Sequence, residues 1–459
     1  MNNLIIDKQT IQKFDVPGPR YTSYPTAPEW TTDVTADIYR QKLAAFGRSD
    51  KTLSLYIHIP FCQSMCTYCA CNVVIRKKED KVGDEYLEYL FKEIDLVRNA
   101  IGKKKKVRQF HWGGGTPTYL NEDQIEKLFK KVRANFDVDL KEEVAIEIDP
   151  RTIDESKLRK LKKVGFNRIS LGVQDFNGDV QKKVNRIQPF ELVKKYTDLC
   201  RELKFHSLNF DLIYGLPGQT KKSIQETIEK VILLKPDRIA LYSFAYVPWL
   251  KKHQNKIHKD DLPSSDQKLE IFLLARELLL SNGYQAIAMD HFALETDELA
   301  IAFNKGTLHR NFMGYTVKPA DEYVGLGLSA IGFLESTFIH NYKTINEYYR
   351  LLKESTLPVE EGKSLTHDDQ IRQWVIHSLM CRFQIDKNEF YRNYEQGFDN
   401  YFEFEQPHIQ KCLKDGLIAS SDNKIAATDL GKLFIRNVCM GFDWYLRQQK
   451  EQKRFSRTV

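Results

Sequence analysis

From residue 53 the chain carries six apolar runs of strand length, separated by polar residues and five amphipathic stretches. The runs are LSLYIHI (53–59), VRQFHW (107–112), EVAIEI (143–148), NRISLGV (167–173), SLNFDLIY (207–214) and DRIALYSFAY (237–246). Amphipathic stretches lie near 83–100, 122–135, 154–163, 189–203 and 221–234. Parallel neighbours need a long crossover, so this alternation predicts βα units and an α/β domain with a parallel sheet. In such domains the strand C-terminal ends carry the site. Polar and glycine residues gather there: a cysteine loop, Gly113–Pro117, Asp149-Pro150, Gln174-Asp175 and Gly215–Gly218.

The rest of the chain is less regular. Residues 265–335 hold a helix pattern (266–280), the run QAIAMDHFA and the glycine-rich VGLGLSAIG. The last third reads mostly helical, with a hairpin-like LIASSDNKIAAT before a helix at 429–441, a winged-helix-like order. The predicted divisions are an N-terminal arm (1–50), a barrel with extension (51–340) and a helical C-terminal domain (341–459).

Composition narrows the class. The chain has 459 residues, 42% hydrophobic and 29% charged, which excludes a mainly disordered or collagen-like protein. No apolar run is long enough to span a membrane, and MNNLIIDKQT lacks the pattern of a secretory signal. A cytoplasmic location is the expectation. The net charge of +7 suits an anionic ligand without marking a nucleic-acid binder. The run Lys103–Lys106 reads as a solvated loop.

Four of the eight cysteines, Cys62, Cys66, Cys69 and Cys71, fall in one short stretch directly after the first strand. Cys200, Cys381, Cys412 and Cys439 sit singly in amphipathic segments and read as small core residues. A tight cluster points to metal or redox chemistry rather than a disulfide frame. Structural zinc normally needs four ligands, typically in two separated pairs, and no second pair has suitable spacing. A 4Fe-4S cluster normally takes four cysteines, so three leave one iron open. A zinc knuckle is the structural alternative.

The spacing C-x3-C-x2-C of Cys62, Cys66 and Cys69 resembles the radical S-adenosylmethionine (SAM) superfamily. That resemblance implies an open iron chelated by SAM, and reductive cleavage of SAM to methionine and a 5′-deoxyadenosyl radical. Gly113-Gly114-Gly115-Thr116-Pro117 is similar to the superfamily's glycine motif, where glycines permit close backbone approach to a ligand. Glu147, at the end of the third run, can accept hydrogen bonds from ribose hydroxyls; its alternative is an interior salt bridge. Tyr56 and His58 share one face of the first strand, with Ile57 and Ile59 on the other.

Longer stretches are similar to the oxygen-independent coproporphyrinogen III oxidases. They are Cys69-Ala70-Cys71-Asn72, residues 18–27 (GPRYTSYPTA), residues 309–316 (HRNFMGYT) and residues 325–331 (GLGLSAI). The resemblance covers nearly the whole chain. It implies a partial (β/α)6 barrel, a 4Fe-4S cluster on Cys62, Cys66 and Cys69, and two SAM molecules. The cluster-bound SAM would meet Tyr56, Gly114, Glu147 and Ile331. The second would meet Tyr68, Gly115, Thr116, Gln174, Arg186, Asp211 and Ala245. Cys71 would be needed for activity without ligating the cluster. Two positions depart from the family pattern: Ala70 stands where glycine is expected, and Met313 where a polar residue, usually glutamine, is expected.

The implied reaction converts coproporphyrinogen III to protoporphyrinogen IX by oxidative decarboxylation of two propionates. The implied partners are a low-potential electron donor protein and an unidentified electron acceptor, and the implied state is a monomer. The substrate carries four carboxylates, which arginines would hold, with Arg20 the candidate. The alternatives are a haem-binding chaperone of the same branch and a radical SAM enzyme acting on another tetrapyrrole. Such chaperones typically lack the fourth cysteine and the N-terminal arm, and both are present here.

Overall fold

The computed structural model describes residues 8–448 and 455–458. The six apolar runs form six adjacent parallel strands: β1 (Leu53–Ile59), β2 (Lys106–Gly114), β3 (Asp137–Ile148), β4 (Arg168–Gln174), β5 (Ser207–Tyr214) and β6 (Arg238–Ser243). The crossovers are α1 (Asp80–Ile101), α2 (Glu122–Asn135), α3 (Glu155–Val164), α4 (Phe190–Glu202) and α5 (Lys221–Leu234). Local signals set several of their ends. Asn121 with Gln124 and Thr220 with Ser223 form capping boxes that satisfy the first free amides of α2 and α5.

Strand alternation explains the two faces of this sheet. On β1, Leu53, Leu55, Ile57 and Ile59 are buried, while Ser54, Tyr56 and His58 alternate with them. The polar side chains satisfy one another. Ser54 Oγ donates to Gln109 Oε1 at 3.0 Å, and Gln109 Nε2 donates to Glu143 Oε1 at 3.0 Å. Apolar contacts against the helices thus hold the wall, while the enclosed face stays polar.

The barrel does not close on itself. β1 pairs on its far side with Glu322–Leu326, in parallel, and β6 pairs with His291–Leu294, antiparallel. The result is a twelve-stranded sheet that runs on through Ile331–Leu334, Thr337–Asn341 and Val359–Ser364 at one edge and Tyr284–Ile287 at the other. A division at 340/341 would cut a strand, so we place the start of the helical C-terminal part after Ser364.

Beyond Ser364, helix His367–Arg382 is followed by a three-stranded sheet of Gln384–Asp386, Lys424–Ala427 and Ile418–Ser420, a winged-helix-like arrangement. The expected helix at 429–441 is two, Asp429–Leu433 and Ile435–Met440. Phe434 breaks it, with φ −109° and ψ 31°, and its ring packs 5.0 Å from Phe14. The run QAIAMDHFA forms two antiparallel strands.

The lysine run needs a correction. Lys105 is buried, and its ammonium donates to Phe46 O at 3.2 Å and Ser49 O at 2.7 Å, at the C-terminus of helix Ala36–Arg48. A helix C-terminus offers unpaired carbonyls and partial negative charge, which a lysine can satisfy. Cys200, Cys381, Cys412 and Cys439 are buried, as expected of core residues.

Candidate active site

A cavity of about 370 Å³ lies inside the partial barrel and reaches the strand C-terminal ends. Cys62, Cys66, Cys69, Cys71, Tyr68, Gly114, Gly115, Thr116, Glu147, Gln174, Arg186 and Asp211 all line it. Segments more than a hundred residues apart in sequence thus meet at one place.

The cysteine loop follows β1 directly. A short parallel pairing of Phe61–Cys62 with Val74–Ile75 closes its base. Asn185 Nδ2 donates to Met65 O at 2.8 Å, and Thr67 N donates to Val184 O at 3.1 Å, so the segment after β4 holds the loop's middle. Cys66 is buried, Cys62 and Cys69 are half-buried, and Cys71 is exposed at the lip; all four thiols are free. Burial and the neighbouring Cys69 and Cys66 push the Cys62 thiol up to about 12. Hydrogen bonding with Cys71 brings Cys69 down to about 7 and drives Cys71 well above its ordinary value.

Among the described residues no three His, Cys, Asp or Glu converge on a single-ion site. A cubane spreads its cysteines over different irons, so three free thiols around one cavity suit it better than they suit zinc. Cationic donors also face the sulfur: Arg151 Nη2 lies 3.7 Å and Arg186 Nη1 3.8 Å from Cys66 Sγ.

The glycine motif ends β2 against Glu147 of β3. Gly114 N donates to Glu147 Oε2 at 3.3 Å, and His111 Nε2 lies 3.1 Å from Glu147 Oε1. A Cβ on Gly113 would stand 2.8 Å from the Glu147 carboxylate. Gly114 has φ +116°, and a Cβ there would stand 2.7 Å from the His58 ring. Both positions need glycine for space, and Gly114 for its backbone as well.

Arg186 is buried and anchors the opposite wall. Its Nη1 donates to Asp149 Oδ2 at 2.9 Å and its Nη2 to Gly172 O at 2.7 Å, while its buried Nε has no partner among the described residues. Burial alone would raise the Asp149 carboxyl, but Arg186 and Arg151 outweigh it and hold Asp149 below its usual range. Gln174, at the end of β4, has φ 65°, an uncommon backbone for a non-glycine residue. Asp211 accepts from Ser170 Oγ at 2.7 Å and Asn209 Nδ2 at 2.9 Å, and burial pushes it up to about 6.

Four candidates lie off the cavity lining. Tyr56 stacks on His111, with ring centroids 5.9 Å apart, and its hydroxyl is 3.1 Å from His58 Nδ1. Ile331 starts the strand beside Gly325, the residue paired with Tyr56. Ala245 follows β6, and its carbonyl accepts from Gln254 Nε2 at 3.1 Å. Arg20 points to a separate cavity of about 40 Å³ with Tyr214, Asp290 and Arg436, where its Nη2 donates to Ser243 O at 2.5 Å. That guanidinium is engaged with the protein, not with the cysteine cavity.

The structure adds lining residues that the sequence reading passed over. They include His111, Arg151, Ser170, Asn209, Tyr242 and His291. Of these, period-two counting back from Asp211 reaches only Asn209. Met313 also lines the cavity.

Comparison with known proteins agrees with this geometry. Residues 56–231 match the Radical SAM superfamily, and residues 365–434 match the HemN C-terminal domain. The fold and cysteine site therefore define a radical SAM protein. The chain is 43% identical over 453 residues to the oxygen-independent coproporphyrinogen III oxidase of Escherichia coli (strain K12), covering 99% of this chain and 98% of that one. It is 40% identical over 455 residues to the protein of that name from Synechocystis sp. (98% and 97% covered). The solved coproporphyrinogen III oxidase (HemN) from Escherichia coli superposes with TM-score 0.89 at 42% identity, covering 93% of this chain and 98% of that one. The chain belongs to the family of oxygen-independent coproporphyrinogen III oxidases, and with that family goes a 4Fe-4S cluster and SAM. No helix among the described residues is long and apolar enough to cross a membrane.

Proposed function

We propose that this chain converts coproporphyrinogen III to protoporphyrinogen IX in haem biosynthesis. The carrying observation is the convergence of Cys62, Cys66, Cys69, Cys71, the glycine motif and Glu147 on one cavity, in a chain alike over its full length to oxidases of that name. For each propionate the overall change is loss of one hydrogen atom from the β-carbon, one carbon dioxide and one electron, leaving a vinyl group. The electron goes to an acceptor still to be identified.

When bound, the cluster and SAM supply the electron and the 5′-deoxyadenosyl group needed to remove that hydrogen atom. Cys62, Cys66 and Cys69 would hold the cluster. Gly114, Glu147, Tyr56 and Ile331 would hold the first SAM, with Glu147 accepting from its polar hydrogens. A second SAM would meet Tyr68, Gly115, Thr116, Gln174, Arg186, Asp211 and Ala245. The buried Nε of Arg186, without a partner among the described residues, is a donor available to a ligand carboxylate, which supports this reading. Cys71, exposed at the lip, would act on substrate rather than on iron.

The N-terminal arm would cover the site and exclude water. Support comes from its clamps: Tyr21 Oη donates to Asp443 Oδ2 at 3.0 Å, Gln373 Nε2 to Tyr24 O at 3.0 Å, and Arg310 Nη1 to Arg20 O at 2.9 Å. A monomer, working in the cytoplasm with a low-potential donor protein, completes the proposal.

The test is anaerobic reconstitution with SAM, a low-potential reductant and coproporphyrinogen III, read by mass spectrometry. Loss of two carboxyl groups together with 5′-deoxyadenosine is expected. Deoxyadenosine without decarboxylation would reject this substrate.

A further inference from the structure

The back of the cysteine loop is covered by a segment with no part in the cavity. Residues 249–259 lie against it through three hydrogen bonds. His253 Nε2 is 2.7 Å from Cys69 O, Lys251 Nζ donates to Cys71 O at 3.1 Å, and Gln254 Nε2 donates to Tyr68 O at 3.2 Å. On its outer side the same segment exposes Trp249 (55%) and Leu250 (64%), together with Lys252, Lys256 and Lys259. Two adjacent large apolar side chains, rimmed by charged ones, form a small apolar centre on an otherwise polar surface.

A second cationic segment flanks the loop from the other side. Arg76 N donates to Cys62 O at 3.0 Å, and Arg76, Lys77 and Lys78 are exposed. Of the carboxylates in these two segments, Asp261 is engaged by Lys183 at 2.7 Å and Glu79 by Lys81 at 2.8 Å. Asp80 and Asp260 remain near these six exposed cations and Asp154 also faces Lys78, so cations outnumber carboxylates around the loop.

We propose that this surface, Trp249 and Leu250 within a ring of Lys252, Lys256, Lys259 and the 76–78 segment, docks a small acidic one-electron carrier protein that reduces the cluster. The proposal rests on the cluster reading given above. One electron leaves the carrier's low-potential redox group and enters the cluster; no atom is transferred. Charge complementarity selects the partner class, because a positive rim steers an acidic protein, while a small apolar centre suits the brief contacts of redox encounters. Position supplies the rest, since the segment that carries the patch meets the backbone of Cys69 through His253.

The experiment uses the reconstituted full chain and a reduced flavodoxin as the acidic probe, with dithionite as a small-molecule comparison. Loss of cluster absorbance is followed in the wild type, in Lys252→Glu/Lys256→Glu and in Trp249→Ser. Both variants should slow reduction by flavodoxin, the charge reversal by about tenfold at low ionic strength, with the gap closing as salt rises. Dithionite should reduce all three alike. Equal rates with flavodoxin would overturn the docking surface while the cluster reading stands. A wild-type chain that assembles no reducible cluster would overturn both. Salt-sensitive binding of the patch to anionic phospholipid vesicles, with flavodoxin reduction unaffected by the substitutions, would reassign it to a membrane surface.

Discussion

Arg186 and Asp149, 37 residues apart, form a buried ion pair at 2.9 Å directly beside Cys66. Arg151 bonds the same carboxylate at 2.7 Å. One carboxylate thus holds two guanidiniums against the cysteine loop. Removing one member of a buried pair leaves the other charge uncompensated, at a cost of about 3–5 kcal/mol. Asp149→Asn should therefore lower the thermal midpoint by several degrees and reduce iron incorporation. An unchanged melting curve would show that solvent or other groups already compensate Arg186.

The glycine motif predicts a steric effect. Gly114→Ala would place a methyl group 2.7 Å from the His58 ring at a backbone φ that alanine rarely adopts. SAM binding by the reconstituted protein, measured by equilibrium dialysis, should weaken at least about tenfold, a loss of about 1.4 kcal/mol or more. Substitution of Ala for Gly178, where a Cβ would meet nothing within 4 Å, is the matched control.

Cysteine roles separate by two measurements. Cys66→Ser should lose the cluster, seen as loss of iron and visible absorbance. Cys71→Ser should keep about four irons per chain, as expected of a 4Fe-4S site, yet decarboxylate no substrate. Loss of iron in the Cys71 variant would make it a ligand and reverse the assignment.

Glu93 predicts a pH dependence of stability. It lies buried on α1, accepts from Gly327 N at 2.7 Å, Asn341 Nδ2 at 2.6 Å and Tyr348 Oη at 2.6 Å, and burial raises its carboxyl to about 7. The folded state therefore binds this proton more tightly than the unfolded state does. That contribution is fully present below the unfolded value of about 4.5 and is lost as pH rises through about 7, a change on the order of 3 kcal/mol. Glu93→Gln should flatten this part of the profile in chemical denaturation between pH 5 and pH 8. A profile identical to the wild type would mean that Glu93 is ionised throughout.

The αβ alternation was legible in sequence because each element buries its apolar face by a local period. All six strands and five crossovers follow from it, and the cysteine and glycine motifs lie where strand ends must lie. The polar interior was legible only in part. Glu147 stood out by its place at a strand end and Asp211 through the family resemblance, but His111 and Ser170 are ordinary in sequence and gain meaning from the strands that face them.

Sequence alone therefore determined the fold class, the order of elements and the cysteines that can hold a cluster, because periodicity and motif spacing are properties of neighbouring residues. Tertiary structure decided the rest. Arg20, a reasonable carboxylate binder in sequence, bonds a carbonyl 223 residues away. Lys105 leaves the solvated run to cap a helix. Residues 251–254 come to rest on the cysteine loop roughly 180 residues earlier in the chain. Long polar side chains find partners by proximity in space, and spacing along the chain holds no record of that proximity.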